Sequence, residues 1–213
     1  MPLILYPMKT TLLAFILCLV GATAQAQEAA NYQVTIDGKA MDVALGKEYK
    51  MKLANGREVT VAVRQKNVLT YQDDWISLQY PKGLHPAFAT PDPDLEQMTL
   101  LTANGNGVLV QKYKTVDPTE LVDLMVKEIT NEEVSFGYSK TEEPFELKLV
   151  TGQKAVGKSV MLRYGSDVQR YTVAALGGKN EGIIFMTMLN TEQPSEDDTV
   201  VQMFLDTLAY KRK

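Results

Sequence analysis

Hydrophobic and polar residues alternate along most of the chain, and this pattern predicts a protein built mainly from β-strands. In YKMKLANGREVTVAV, residues 49–63, the alternation runs in two halves on either side of Asn55-Gly56. Such a pair readily adopts the positive φ angles of a tight turn, so the stretch is expected to form a hairpin. The wider region from Tyr32 to Tyr71 is interpreted in the same way, as a set of β-hairpins.

A strand with a sharp end is predicted in WISLQYPKGL. Ile76, Leu78 and Tyr80 alternate with other residues until Pro81, which lacks the backbone N–H that a continuing strand needs. The next segment, Leu84 to Leu95, holds three prolines among polar residues and is predicted to be an irregular loop.

A second hairpin and four longer strands follow. The hairpin joins QMTLLTA to VLVQKY through Asn104-Gly105-Asn106-Gly107. The four strands are FELKLV, SVMLRY, VQRYTVAAL and GIIFMTML. Because the last strand is apolar on both sides, it needs cover on both, and we expect one helix above the sheet and one below it. Its two predicted side-chain sets are Ile183, Phe185 and Leu189, and Ile184, Met186 and Met188.

Two segments show the period of amphipathic helices. The first begins at Asp117-Pro118-Thr119-Glu120, where Asp can cap, Pro fits the first helical position and Glu completes a capping box. The second begins at Ser195 to Asp198, which supplies a cap and early acidic residues. With the hairpins, these helices predict an α+β protein with a largely antiparallel sheet. The first helix is expected to bury Leu121, Val122, Leu124, Met125, Val126 and Ile129 and to expose Asp123, Lys127 and Thr130; the second is expected to bury Val200, Val201, Met203, Phe204, Leu205 and Leu208.

The N-terminus has the pattern of a secretory signal. The apolar run from Leu12 to Ala22 is shorter than the about 20 residues that span a bilayer, and Ala24-Gln25-Ala26 matches an A-x-A cleavage site. We therefore expect a periplasmic or secreted protein with no stable membrane insertion after cleavage. The predicted organisation is a signal peptide (1–26), a β-hairpin region (27–71) and a main domain (72–213).

Cysteine content and charge narrow the choice of partners. The single cysteine, Cys18, lies in the signal, so the mature chain has no thiol for a disulfide, a nucleophile or a metal. The full chain has a net charge of −4, and removal of the signal, which holds Lys9 and no acid, leaves 22 − 1 = 21 basic and 26 acidic residues, or −5. This balance argues against nucleic acid as the main partner. The terminal Lys211-Arg212-Lys213 is predicted to be a solvated tail.

The stretch GQKAVGKS, from Gly152 to Ser159, fits the letter pattern of a phosphate-binding loop. A working loop of this kind needs a helix directly after it, because the helix N-terminus holds the phosphates. Here the β-branched and aromatic run VMLRY follows and is broken by Gly165-Ser166-Asp167. We therefore expect no nucleotide binding, and a β-turn with exposed lysines in place of the loop.

The sole histidine, His85, precedes Asp92, Asp94 and Glu96 in the proline-rich segment. Carboxylate oxygens and one imidazole could hold a divalent cation, although the regular acidic positions of a calcium loop are missing. The alternative is a solvated acidic loop. A serine triad would require His85, and the G-x-S-x-G pattern is absent from the sequence, so we expect neither catalysis nor a cofactor.

The order of these segments resembles the PsbP-like fold. The resemblance rests on WISLQYPKGL, the helix that starts at Asp117-Pro118, turns near Gly157 and Tyr164, and a final helix containing FLDTL, and it covers Asp73 to Lys211. The family includes the PsbP extrinsic subunit of photosystem II, a eukaryotic Ran-binding nuclear import factor and bacterial exported proteins of unknown role.

This resemblance implies an α/β/α sandwich whose members chiefly bind other proteins and carry no shared catalytic residues. The leading hypothesis from the sequence is therefore an exported, non-enzymatic accessory protein that engages another polypeptide through a sheet edge or a helix-sheet groove. The alternative is a module that binds a small ligand or a divalent metal through the segment 84–96. A fold-level resemblance cannot itself name the partner.

Overall fold

Two compact units make up the chain, residues 30–65 and residues from Lys66 onward. The predicted signal peptide, 1–26, lies outside the described residues. In the part of the chain that is described, no helix has the length and apolar character needed to cross a membrane. The residues that the computed structural model describes are 30–178, 180–190 and 195–212.

The first unit contains two antiparallel strand pairs, each forming its own two-stranded sheet. The turn between the second pair lies at Asn55-Gly56, where Gly56 has a φ of 82° and the N–H of Arg57 donates to the Asn55 side chain at 3.0 Å. The pairs are β1 (Tyr32–Ile36) with β2 (Lys39–Val43), and β3 (Glu48–Lys52) with β4 (Glu58–Ala62).

The second unit contains a seven-stranded sheet and a three-stranded sheet. Its strands are β5 (Val68–Gln72), β6 (Ile76–Pro81), β7 (Ala87–Asp92), β8 (Leu95–Leu101), β9 (Gly107–Tyr113), β10 (Ser139–Lys148), β11 (Lys154–Tyr164), β12 (Asp167–Gly178), β13 (Glu181–Leu189) and β14 (Ala209–Tyr210). The large sheet has the order β10-β11-β12-β13-β9-β8-β7 and the small one β14-β6-β5, with antiparallel neighbours throughout. Because β5 pairs with β6, it belongs to this unit, and the division falls before Lys66 where the sequence suggested Tyr71.

The two helices share buried clusters with alternate side chains of β13. α1 (Val122–Ser135) continues from a short 3-10 turn that Asp117 caps, and the predicted capping box is not formed there. α2 (Glu196–Thr207) starts at the predicted cap, Ser195, which forms a capping box with Asp198. Ile183 and Phe185 of β13 lie in one buried cluster with Val201 and Phe204 of α2. Ile184 lies in a second cluster with Val122 and Val126 of α1. The architecture is therefore α+β with a largely antiparallel sheet, as predicted.

The buried face of α1 is rotated from the predicted one. Leu124 was expected to be buried and is 53% exposed, whereas Thr130 was expected to be exposed and is buried. The Thr130 hydroxyl donates to the Val126 carbonyl at 2.8 Å, which satisfies the polar group inside the helix. A threonine can therefore occupy the buried face of the helix. Hydropathy alone assigns the wrong residues to that face.

Half of the predicted irregular loop from Leu84 to Leu95 is in fact the strand β7. This strand lies at the edge of the large sheet, and all six of its residues are exposed. An edge strand pairs on one side only, so it tolerates Pro91, which lacks an N–H. The register with β8 shifts between Ala89 and Asp92, around this proline.

Lys211 and Arg212 are held by specific contacts, in contrast to the predicted solvated tail, and Lys213 lies outside the described residues. β14 pairs with β6, and the Lys211 ammonium group donates to the Asp73 carbonyl at 2.7 Å. The Arg212 guanidinium lies 4.6 Å from the centre of the Trp75 ring and pairs with Glu181 at 3.2 Å. Cation–π stacking and this ion pair hold the segment against the second unit.

Candidate functional site

A groove of about 690 Å³ lies between α2 and the middle strands of the large sheet. The strands β11, β12 and β13 supply its floor, and α2 supplies one wall. This volume falls in the range of about 300–1,000 Å³ that is typical of ligand sites in proteins. The groove is therefore the first candidate for a binding function.

Three hydroxyl groups form a row across the floor. Antiparallel pairing places Ser159 opposite Thr172, and Thr172 opposite Thr187. Thr187 belongs to the same alternating set as Phe185, so the row lies on the side of the sheet that α2 covers. Within the described residues, none of the three hydroxyls is hydrogen bonded to another group. Each hydroxyl can donate and accept, so the floor offers both functions to a ligand.

The wall of the groove combines charge with apolar surface. The Arg170 guanidinium on β12 pairs with the Asp198 carboxylate on α2 at 3.1 Å. Further along the helix, the Gln202 amide donates to the Asp206 carboxylate at 2.7 Å. The apolar side chains in the lining are Leu189, Val201, Met203 and Leu205.

The position of α2 is fixed at its N-terminus by Asp197. One oxygen of this carboxylate accepts hydrogen bonds from Thr102 at 3.0 Å, Asn104 at 3.1 Å and Asn106 at 2.7 Å, all in the turn between β8 and β9. These bonds, that from Asn106 first, lower the pKa of Asp197. The buried Asn106 side chain also accepts from the Asn190 N–H at 2.7 Å. A network of hydrogen bonds therefore holds the N-terminus of α2, and with it the wall of the groove, in place.

A second polar cluster is centred on Asp73, between β5 and β6. Lys112 is 4% exposed, and its ammonium group and the Tyr71 hydroxyl, the latter at 2.5 Å, both donate to one oxygen of Asp73. The amides of Trp75 and Ile76 donate to the other oxygen at 2.8 Å. Burial raises the pKa of Asp73, but the bonds from Lys112, Tyr71 and the two amides outweigh it and lower the pKa to about 2. The cluster joins the small sheet to β9, and its polar groups bind one another.

The proposed metal ligands are not brought together as a set. His85 is exposed, and an Asp92 oxygen accepts the Asp94 N–H at 3.0 Å. Glu96 pairs with Lys114 at 2.7 Å and with Lys112 at 3.6 Å, and the hydrogen bond from Lys114 is the main cause of its lowered pKa. Across the described residues, no three carboxylate, histidine or cysteine side chains are grouped so that they could hold a metal ion.

The phosphate-loop pattern falls mostly within a strand. Gly152 lies in a turn with a φ of 86°, but Gly157 and Lys158 belong to β11, so the predicted turn is right only for the first glycine. A Cβ at position 157 would lie 1.9 Å from the Val173 carbonyl oxygen. Lys158 bridges Asp123 of α1 at 2.7 Å and Glu142 of β10 at 2.9 Å, and these hydrogen bonds raise its pKa.

Sequence reasoning missed the residues that build the groove. The signal was present, because Thr187 interrupts an apolar strand, and Thr172 follows Arg170 and precedes the apolar Ala174 and Leu176 in one alternating set. What could not be obtained from the sequence is the register that aligns them with Ser159. Polar breaks in neighbouring strands become a row only when the strand order is known.

Comparisons with known proteins give matches among solved structures alone, at low TM-score and low identity. No family model matches the chain, and no curated protein matches it. Among solved structures, a protein from Bacteroides thetaiotaomicron is similar with a TM-score of 0.40 and 10% identity over 70% of this chain. The match spans half of that protein's own length. The solution structure of cyanobacterial PsbP (CyanoP) from Synechocystis is similar with a TM-score of 0.39 and 15% identity, over 65% of this chain and 91% of the other.

Proposed function

We propose that this chain is an exported, non-enzymatic binding protein with a PsbP-like α/β/α sandwich, periplasmic or secreted, that holds a segment of another polypeptide in the groove beside α2. The observation that carries the proposal is the row of Ser159, Thr172 and Thr187 beneath a wall with apolar and charged residues. The compartment and the family rest on the N-terminal sequence and on the sequence resemblance.

The groove is a better candidate than either edge of the large sheet. At one edge, β7 contains Pro91 and a register shift, both of which disfavour pairing with another strand. At the other, β10 contains Pro144 and charged residues of both signs, including Lys140 and Glu142. Proline and charge are the devices by which sheet edges avoid pairing with another chain.

The chemistry of the groove suits a peptide backbone. Neighbouring strands are about 4.8 Å apart, so three hydroxyls in a row span about 10 Å, or roughly three residues of an extended chain. Hydroxyls can bind both the N–H and the C=O groups of such a chain. Apolar residues on the wall, such as Val201 and Leu205, offer contact to one side chain of the bound segment.

Site-specific photo-crosslinking tests the proposal. A photoreactive amino acid is placed at Gln202, in the groove, and at Glu128, on the exposed surface of α1, as the matched control. We expect the first position, and not the second, to give a discrete crosslinked polypeptide in envelope fractions of the source organism. The product should disappear when Thr172→Trp fills the groove. Equal products at both positions, or a product unchanged by Thr172→Trp, would contradict the proposal.

A further inference from the structure

Three aromatic residues are gathered where α1 ends, on the part of the second unit that is outside the groove. Phe136 is 70% exposed and Tyr164 is 60% exposed. The rings of Tyr138 and Tyr164 lie 5.4 Å apart at an angle of 35°. Solvent therefore contacts a patch of ring surface that the fold does not cover.

The end of α1 explains this arrangement. The Tyr138 N–H donates to the Glu133 carbonyl and the Gly137 N–H to the Val134 carbonyl, both at 3.0 Å, which is the bond pattern of a Schellman motif. Gly137 adopts the required positive φ of 99°, and a Cβ there would lie 3.7 Å from the Tyr164 ring. The turn thus places residues 136–138 beside the end of β11.

The surface at the C-terminus of α1 also carries negative charge. The last turn of α1 carries Glu132 and Glu133 and no basic residue, although the C-terminus of a helix favours cations. Asp167 accepts a hydrogen bond from the Tyr138 hydroxyl. Burial first, and then the charges of Glu133 and Asp167, raise the pKa of the neighbouring Tyr171 to about 12.

No cation of the described chain neutralises these carboxylates. Among the described residues, neither Glu133 nor Asp167 takes part in an ion pair. The nearby Lys140 is paired with Glu142 at 2.8 Å. An acidic helix end that is left uncompensated by its own chain costs stability, since both the helix dipole and the neighbouring charges oppose it.

Exposed aromatic faces and uncompensated negative charge together fit a cation. A lysine or arginine side chain over a tyrosine or phenylalanine ring is attracted by the ring's electrons, and a carboxylate beside the ring adds Coulomb attraction. We propose that Phe136, Tyr138, Tyr164, Glu133 and Asp167 form a surface that binds a lysine or arginine side chain in a basic segment of a partner protein. We call these five residues the aromatic-acidic surface.

The shape and charge of the aromatic-acidic surface favour a polypeptide as its occupant. The Phe136 and Tyr164 rings are exposed and Tyr138 is half-buried, so a small free cation would be covered on one side only. A peptide would also cover the exposed Phe136 and Val134. A second copy of this chain carries a net charge of −4 and would be repelled. A basic polypeptide segment has the complementary charge and is long enough to cover the exposed rings.

Peptide titration followed by NMR tests this inference independently of the groove. The probe is acetyl-Gly-Arg-Gly-Lys-Gly-amide, and its control has citrulline and norleucine in place of the charged residues. With the purified protein, we expect the basic peptide alone to shift the amide signals of Phe136, Tyr138 and Tyr164. Added salt should weaken the binding, because exposed charges are screened.

Paired variants give the decisive measurement. Phe136→Ala with Tyr164→Ala should weaken binding about tenfold, from two exposed cation–π contacts. Glu133→Gln with Asp167→Asn should weaken it about fivefold at low salt. Tyr32→Ala and Glu128→Gln, exposed residues elsewhere, should change nothing. The substituted residues are exposed except Glu133, which is half-buried, and unchanged amide NMR signals away from the substituted positions verify the fold of each variant.

Three outcomes would overturn the inference. The neutral peptide could bind as tightly as the basic one, the shifts could map to other residues, or the paired variants could bind like the parent protein. Self-association that Phe136→Ala abolishes and that the basic peptide does not compete with would point to a second copy as the occupant, and would also overturn it. None of these results bears on the groove, so the two proposals fail separately.

Discussion

The start of α2 and the end of α1 both carry acidic residues, but the surroundings of the two helix ends are opposite. At α2, acids in the first turn agree with the helix dipole, and Asp197 accepts three side-chain hydrogen bonds. At α1, Glu132 and Glu133 lie at the end that favours cations, with no base in the last turn. A carboxylate that its own chain satisfies serves folding, whereas one left unsatisfied is open to a partner.

Asp73 is a second carboxylate that its own chain satisfies, and it lies further inside the molecule than Asp197. It accepts from Lys112, Tyr71 and two backbone amides, so nearly all its capacity is used inside the molecule. Substitutions should therefore separate two classes, with large losses of stability for Asp73 and Asp197 and no loss for Glu133.

The largest effect is expected for Asp73→Ala. It leaves the ammonium group of the buried Lys112 with only the longer contact to Glu96, at 3.6 Å. Breaking a buried pair on one side is strongly destabilising, so the free energy of unfolding should fall by about 3 kcal/mol. Urea unfolding measures it, with Asp74→Ala, an exposed neighbour, as the control that should change it by less than about 0.5 kcal/mol.

Asp197→Ala should have the second-largest effect. It removes the acceptor for Thr102, Asn104 and the buried Asn106, and an unsatisfied buried donor costs about 1–3 kcal/mol. We expect a loss of about 2 kcal/mol in urea unfolding, and a weaker crosslink from the groove because α2 loses its anchor. Glu196→Ala, one residue away and exposed, is the matched control, and an equal loss there would remove Asp197 from the satisfied class.

The pH dependence of stability sharpens the comparison further. Since the pKa of Asp73 is about 2 in the folded protein and about 3.9 when unfolded, its contribution is full above about pH 4 and is lost as the pH falls toward 2. The thermal midpoint of the parent protein should therefore drop more steeply over this window than that of Asp73→Asn. Parallel curves for the two proteins would show that Asp73 is not the group responsible.

The smallest effect is expected for Glu133→Gln. Removing a negative charge from the C-terminus of α1 relieves an unfavourable interaction with the helix dipole, so stability should rise by about 0.3–1 kcal/mol. Calorimetry at low salt measures the change, and Glu128→Gln, further from the helix end, should give less. A loss of stability would mean that Glu133 is satisfied within the chain and would weaken the case for the aromatic-acidic surface.

Much of the architecture was predictable because it depends on local patterns. Periodicity predicted most strands of the second unit, though not β7 or β14, and both helices, and the Ser195 cap is where the sequence placed it. The sequence predictions were wrong where strand pairing or a side-chain hydrogen bond decides the structure. Pro91 suggested a loop and lies in an edge strand, and Thr130 suggested an exposed position and is buried through a bond to its own helix.

Candidate sites were less accessible from the sequence, since they combine residues that are distant along the chain. Lys112 appears in the sequence as one polar residue in an alternating strand, and its burial depends on Asp73 arriving from another sheet. Phe136 and Tyr164 are 28 residues apart, and only the hairpin register and the turn at Gly137 bring their surroundings together. Long-range register is not encoded in any short motif.

Gly157 carries a consequence for how such chains are recognised. The backbone of β12 approaches so closely that any larger residue would force β11 and β12 apart, while Gly152 is needed for its left-handed φ. Two unrelated demands of sheet geometry thus reproduce a nucleotide-binding signature by coincidence. Homologues that keep both glycines would be expected to keep the sheet, and the persistence of those letters would say nothing about ATP.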